Sequence, residues 1–398
     1  MSSELIKIAE LVTSWAAKGE QIEAVVMSDR DSEVRAYEGE IESLTVADSQ
    51  GVGIRVIKDN RQGFAYAGTL DEKELAEVLD EARDNASFAT PDDFAGLAEP
   101  DGVPSVELEI FLDDLISQPT SKKIDLALEL ERLTLKAEKR ISGVESAEYS
   151  DVVSESAIST TTGIRSVSRE SGCSLMVSAL AEEKNEVQTG FGYSIGRKLE
   201  DLDVFRAASD ASDRATRMLG SVKPQSDRLA VVLDPWVCAQ FLQIVGSTLS
   251  AEMVLKGRSL FAERLGENVA SDSVTLIDDP TNPQAFTATE TDGEGLATRR
   301  NVLIGNGKLQ MFVHNSWTAR RSGTSSTGSA IRSYASTPGV GIQALSLIPG
   351  SRNPKEIIAD IDNGILVQSV TGLHSGVNPV SGDFSTGAEG LRIRNGQL

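Results

Sequence analysis

Asn378 to Gly390 reads NPVSGDFSTGAEG, a run of glycines and small residues dense enough to require a backbone-level reason. Such a stretch can approach another backbone closely. Gly382, Gly387 and Gly390 tolerate positive φ, and Ser381, Asp383, Ser385 and Thr386 carry short polar side chains that bond to the main chain. Alone, the run reads equally well as turns between strands. The same chemistry recurs upstream in Thr291 to Gly295 (TDGEG) and in Ala319 to Gly328 (ARRSGTSSTG), which makes chance a poor account of it.

Around these loops the second half is rich in strands and turns. Asn301 to Ile304 and Lys308 to Val313 flank Gly305-Asn306-Gly307, a hairpin signal, and Ile393 to Leu398 contains the turn pair Asn395-Gly396. The first half alternates helices and strands. Ser3 to Ala17 reads as a surface helix, and Thr69 with Glu72 forms a capping box for a helix through Ala86. Further helices are expected at Ser121 to Lys139 and Asp201 to Leu219. Strands are expected at Ile22 to Met27, Glu33 to Tyr37, Glu42 to Ala47, Val52 to Ile57, Gly63 to Ala67, Glu145 to Tyr149, Val152 to Thr160, Ile164 to Arg169, Ser174 to Ala181 and Glu186 to Tyr193. Thr90 to Pro104, with three prolines and four acidic residues, reads as a surface loop.

A chain of 398 residues is long for one core and suits two domains, 1–220 and 221–398. With 60 acidic against 38 basic residues the net charge is −22, which opposes nonspecific contact with nucleic acid or anionic membranes. No run approaches the ~20 apolar residues of a membrane span, and MSSELIKIAELV lacks a basic flank and cleavage site, so a cytoplasmic location is expected. Cys173 and Cys238, each in an apolar run, suit buried thiols in a reducing compartment.

Read together, Asp278-Asp279-Pro280, Asp292 to Gly295, Ser316 to Gly328 and Asn378 to Gly390 resemble the TldD/PmbA family of metalloprotease subunits, and Gly51 to Gly68 (GVGIRVIKDNRQGFAYAG) resembles the family's amino-terminal signature. Gly257-Arg258-Ser259 and NPVSGDFS look like the TldE (PmbA) type. Pattern and resemblance together give an α+β (mixed α/β) fold. It has an amino-terminal α/β domain with helices on a mixed sheet, and a carboxy-terminal strand-rich, barrel-like domain. The resemblance also implies some tens of further residues after Leu398, so this chain is expected to be short or truncated; that tail carries the third metal ligand, a cysteine, in the TldD branch.

In that branch one helix holds an H-E-x-x-x-H motif, whose imidazoles bind the metal while the glutamate acts on metal-bound water. The counterpart is Trp236 to Leu249 (WVCAQFLQIVGSTL), capped by Asp234 with Pro235 at its first position. The motif positions are Leu242, Gln243 and Ser247: an aliphatic group, an amide and a hydroxyl. The only histidines, His314 and His374, each read more readily as hydrogen-bonded neighbours than as ligands.

The resemblance therefore implies a TldE-like subunit without its own catalytic residues or cofactor. A TldD-like partner brings a zinc-type metal in a heterodimer, and unfolded peptides are the substrates. A homodimeric peptide-binding protein without catalysis is the alternative. A metal-independent hydrolase is a third reading, with Ser316, Ser322, Ser325, Ser326 or Ser385 as nucleophile and Asp292, Glu294 or Asp383 as acid or base. Arg320 and Arg321 would then hold a carboxylate or oxyanion. Arg258, Asp292, Glu294, Arg320, Asp383 and Ser385 are the residues expected to line a peptide chamber.

Overall fold

The computed structural model describes residues 2–398. Helix α1 (Ser2–Ser14) leads into strands β1 (Gln21–Tyr37), β2 (Glu40–Lys58) and β3 (Arg61–Ala67), followed by α2 (Glu72–Phe88). Next come α3 (Asp114–Ser117), α4 (Thr120–Ala137), β4 (Ile141–Thr160), β5 (Arg165–Glu183), β6 (Glu186–Gly196) and α5 (Val204–Arg217). The six strands form one sheet in the order β3-β2-β1-β4-β5-β6, every neighbouring pair antiparallel. This corrects the mixed sheet expected from sequence. Three of the connections, β1–β2, β2–β3 and β5–β6, are two-residue turns at positive φ, Glu38-Gly39, Asp59-Asn60 and Lys184-Asn185, and such turns build hairpins.

Strand pairs read as separate are continuous: Ile22 to Met27 with Glu33 to Tyr37, Glu42 to Ala47 with Val52 to Ile57, and likewise within β4 and β5. Polar stretches such as Asp29 to Ser32 resemble turns in sequence, yet they hold full ladder register. Residue 71 is the cap of α2, not Thr69. The Asp71 carboxylate accepts the N–H groups of Lys73 and Glu74, while the Thr69 hydroxyl accepts that of Asp71.

Helices α1 and α2 bury Leu5, Ile6, Leu75 and Leu79 against Ile22, Ala24, Ile54 and Val56. Helices α4 and α5 bury Ala127, Leu130, Ala207 and Ala211 against Val34, Tyr149, Leu175 and Val177. Because strand side chains alternate, all these residues lie on one face of the sheet. Glu23, Val25 and Met27 therefore point to the other.

The carboxy-terminal part runs β7 (Ala230–Leu233), α6 (Pro235–Thr248), α7 (Ala251–Leu255), β8 (Leu276–Asp278), β9 (Asn301–Gly305), β10 (Lys308–Leu309) and α8 (Ser316–Ser322). It ends with β11 (Ala330–Ile331), β12 (Gly339–Val340), β13 (Leu345–Leu347), α9 (Pro354–Ala359), β14 (Asn363–Thr371), α10 (Leu373–Gly376) and β15 (Gly387–Arg394). Its strands fall into three small sheets, β10-β9-β8-β13, β11-β12 and β15-β14-β7. The fold class is α+β. Leu296 and Tyr334 pack onto Val25, Met27 and Ile158, so the carboxy-terminal part covers one end of the helix-free sheet face. Among the described residues no helix is long and apolar enough to cross a membrane.

Candidate functional site

Helix α6 forms where its caps demand. The Asp234 carboxylate accepts the Trp236 N–H at 3.0 Å and is held by Arg214 of α5 at 3.1 Å. The glycine-rich loop lies against this helix, with the Phe241 and Phe384 rings 4.7 Å apart. In that loop Gly382 has φ +79°, whereas Gly387 and Gly390 belong to β15; a Cβ at Gly390 would lie 2.0 Å from the Leu366 carbonyl oxygen. Close approach of the Leu366 backbone explains Gly390, and the Thr371 hydroxyl, 2.3 Å from where a Cβ would lie, explains Gly387; neither needs positive φ.

A catalytic zinc needs three or more converging N, O or S donors. Leu242 packs with Leu249, Leu276 and Leu303. Gln243 and Ser247 are exposed, and the Ser247 hydroxyl donates to the Ile244 carbonyl at 2.7 Å. His314 is buried, which pushes its pKa down, while His374 is exposed on α10. Among the described residues no three His, Cys, Asp or Glu side chains gather as a metal-ion site. The donors present do not fit a catalytic metal.

A second constellation lies where the two halves meet. Glu23 and Arg55 are cross-strand partners on the covered face, and the Arg55 guanidinium donates to both Glu23 oxygens, at 3.0 and 2.8 Å. Arg332 also donates to Glu23, and Arg55 Nη2 lies 3.7 Å from Glu294 Oε1. All four side chains are at most 4% exposed. Burial alone would raise the Glu23 carboxyl, but Arg55 and Arg332 outweigh it and hold its pKa below the ordinary value. Glu294 accepts the Ser316 N–H at 2.8 Å and the Ser316 hydroxyl at 2.5 Å, fixing the start of α8.

Asp292 accepts the N–H groups of Glu294, Leu296 and Ala330 at 2.9–3.0 Å, closing the TDGEG turn. Burial first, and the adjacent Glu294 charge second, hold its carboxyl above the usual carboxylate range.

Of the six expected chamber residues, the structure joins Asp292 and Glu294. Arg320 instead donates to the carbonyls of Phe94, Leu97 and Gly96 at 2.9, 3.2 and 2.7 Å, fastening the 90–104 loop to α8. That loop is also held by Asp92, which accepts the Trp317 indole N–H at 2.6 Å. Arg258, Asp383 and Ser385 are exposed in another region, where the Leu260 N–H donates to the Pro379 carbonyl at 2.8 Å. Asp383 accepts the Ser381 hydroxyl at 2.7 Å. Glu23, Arg55 and Arg332 escaped the sequence reading. The available signal was a charge inside an apolar strand run, IEAVV and GIRVI.

Three consecutive family models match this chain: PmbA/TldA metallopeptidase domain 1 over residues 22–86, the central domain over 113–219 and the C-terminal domain over 226–398. The chain belongs to the PmbA/TldD metallopeptidase family. Metalloprotease PmbA of Escherichia coli O157:H7 is 26% identical, the alignment covering 98% of this chain and 86% of that protein. A metalloprotease of Methanocaldococcus jannaschii is 28% identical over 91% of this chain and 80% of its own length. The solved structure of TldE from Thermococcus kodakarensis superposes with a TM-score of 0.88 at 26% identity, covering all of this chain and 88% of that one.

Proposed function

We propose that this chain is the noncatalytic, TldE-like subunit of a two-component peptidase acting on unfolded peptides, paired with a TldD-like subunit that supplies the zinc-type metal. The observation that carries this reading is the chemistry of α6: positions 242, 243 and 247 offer an aliphatic group, an exposed amide and a hydroxyl tied to its own helix. Family membership supports a proteolytic setting, and the glycine-rich loop beside α6 offers main-chain groups of the kind that bind extended peptide.

Ser316 is the one serine among the suggested nucleophiles whose hydroxyl meets a carboxylate. It donates to Glu294, which Arg55 faces, and it starts a helix, so a scaffold role accounts for it. The test is peptide hydrolysis by the purified chain, by an H-E-x-x-x-H relative, and by the two mixed. Cleavage by the mixture, abolished by chelator and absent from this chain alone, is expected. Chelator-sensitive cleavage by this chain alone overturns the proposal.

A further inference from the structure

Beyond the rows covered by the carboxy-terminal part, the helix-free sheet face remains open. Facing residues of an antiparallel ladder share a face, so Glu33 stands in rank with Ile195, Asp31 with Val152 and Gly172, and Asp29 with Glu170. Phe286 leans over this face at Gly172, where a Cβ would come within 2.6 Å of its ring. On the opposite side the Trp236 ring lies 5.1 Å from Tyr193. Between them is a cavity of about 580 Å³. Val152, Met176 and Ile195 form part of its wall and are 36%, 45% and 47% exposed, which leaves apolar surface in water.

Among the described residues Asp31 and Glu33, on the lip of this groove, form no ion pair. Nearby cations are engaged elsewhere: Arg30 with Asp48, Arg35 with Glu42 and Glu148, Lys123 with Asp151, and Arg169 with Glu155. Burial raises the Asp31 carboxyl, and the Asp29 and Asp151 charges raise it further. Burial likewise raises Glu170; Arg197 partly offsets this and Asp29 adds to it. The Arg197 guanidinium is spent on carbonyls, those of Ile110, Ser171, Ala285 and Phe286. A cation placed here would gain from carboxylates that now repel one another.

We propose that this groove binds an extended peptide segment in which a basic residue neighbours a large apolar one. The apolar side chain fills the cavity between Phe286 and Trp236, and the cation lies against Asp31 and Glu33. The inference rests on the peptide-handling reading above and adds a sequence preference to it.

The test is fluorescence anisotropy of two short labelled peptides, one alternating Lys with Leu and one alternating Glu with Leu, on the full chain and on D31N/E33Q. Both substituted residues are exposed, and circular dichroism verifies the fold of the variant. The basic peptide should bind about tenfold tighter or more at low salt, with the preference shrinking as salt rises. In D31N/E33Q the preference should collapse. Equal affinities on the unmodified chain, or an undiminished preference in the variant, overturn the groove and leave the peptidase reading standing. Loss of cleavage by the unmodified pair sinks that reading instead. Tryptophan emission that shifts with protein concentration in the unmodified chain but not in W236F, with no peptide bound, assigns the groove to a second copy and also overturns the proposal.

Discussion

Replacing Glu23 by Gln removes one negative charge from between two buried guanidiniums while keeping side-chain volume. In the native protein Glu23 accepts two hydrogen bonds from Arg55 and one from Arg332, in a cluster at most 4% exposed. The amide keeps one acceptor oxygen and sets an NH2 group against a guanidinium donor, leaving Glu294, 3.7 Å from Arg55, as the nearest compensating charge. Breaking a buried pair from one side costs about 3–5 kcal/mol, and the two-cation geometry places E23Q in that range. Urea unfolding at neutral pH measures it.

The sign with pH is fixed as well. The folded carboxyl has a lowered pKa, so its contribution is full above the unfolded value and disappears as pH falls through the folded one. The gap between native chain and E23Q should therefore close in acid. A variant replacing the whole group, E23L/R55M/R332M/E294Q, should recover much of the loss, because no charge of the cluster remains uncompensated. An E23Q protein within about 0.5 kcal/mol of the native chain at neutral pH would refute the reasoning.

Asp278 is fully buried, accepts the N–H groups of Gln343 and Ala344 through one oxygen, and has its pKa pushed by burial to about 6. A raised carboxyl pKa costs stability as pH rises from the unfolded value to the folded one. D278N should match the native chain near pH 3 and exceed it by up to roughly 3 kcal/mol at pH 8 in paired denaturation curves. Gly192 lets α5 lie directly on β6, since a Cβ there would sit 1.9 Å from the Ala207 carbonyl; G192A should destabilise by about 1–3 kcal/mol or more, read as a lowered urea midpoint. Removing the Arg320 guanidinium frees three carbonyls of the 94–97 segment, so R320A should raise hydrogen exchange and protease cleavage within 90–104 while leaving α5 protected.

The sequence carried the five longer helices and the β9–β10 hairpin because their signals are local. Asp234-Pro235 announces α6, and Asn306-Gly307 closes the β9–β10 turn at positive φ as expected. Strand length was hidden by the open face itself. Asp29 and Asp31 look like loop residues because they border a groove rather than a core, yet they lie on one continuous strand whose Ser32 and Val34 are buried on the other side. The site divides the same way. Asp292 and Glu294 stood out within a glycine turn, whereas their companions come from β1, β2 and the segment after β11. No spacing rule links Glu23, Arg55 and Arg332; only the fold brings them together. Arg320 was read as a chamber residue because it lies among serines and glycines, and sequence cannot tell a ligand-facing guanidinium from one that fastens a loop.

The most direct measurement is the metal content of the purified, tag-free chain after exhaustive dialysis, by plasma emission spectroscopy. With Leu242, Gln243 and Ser247 on α6, the account predicts far less than one transition-metal ion per chain. One zinc per chain, retained through dialysis, would contradict it.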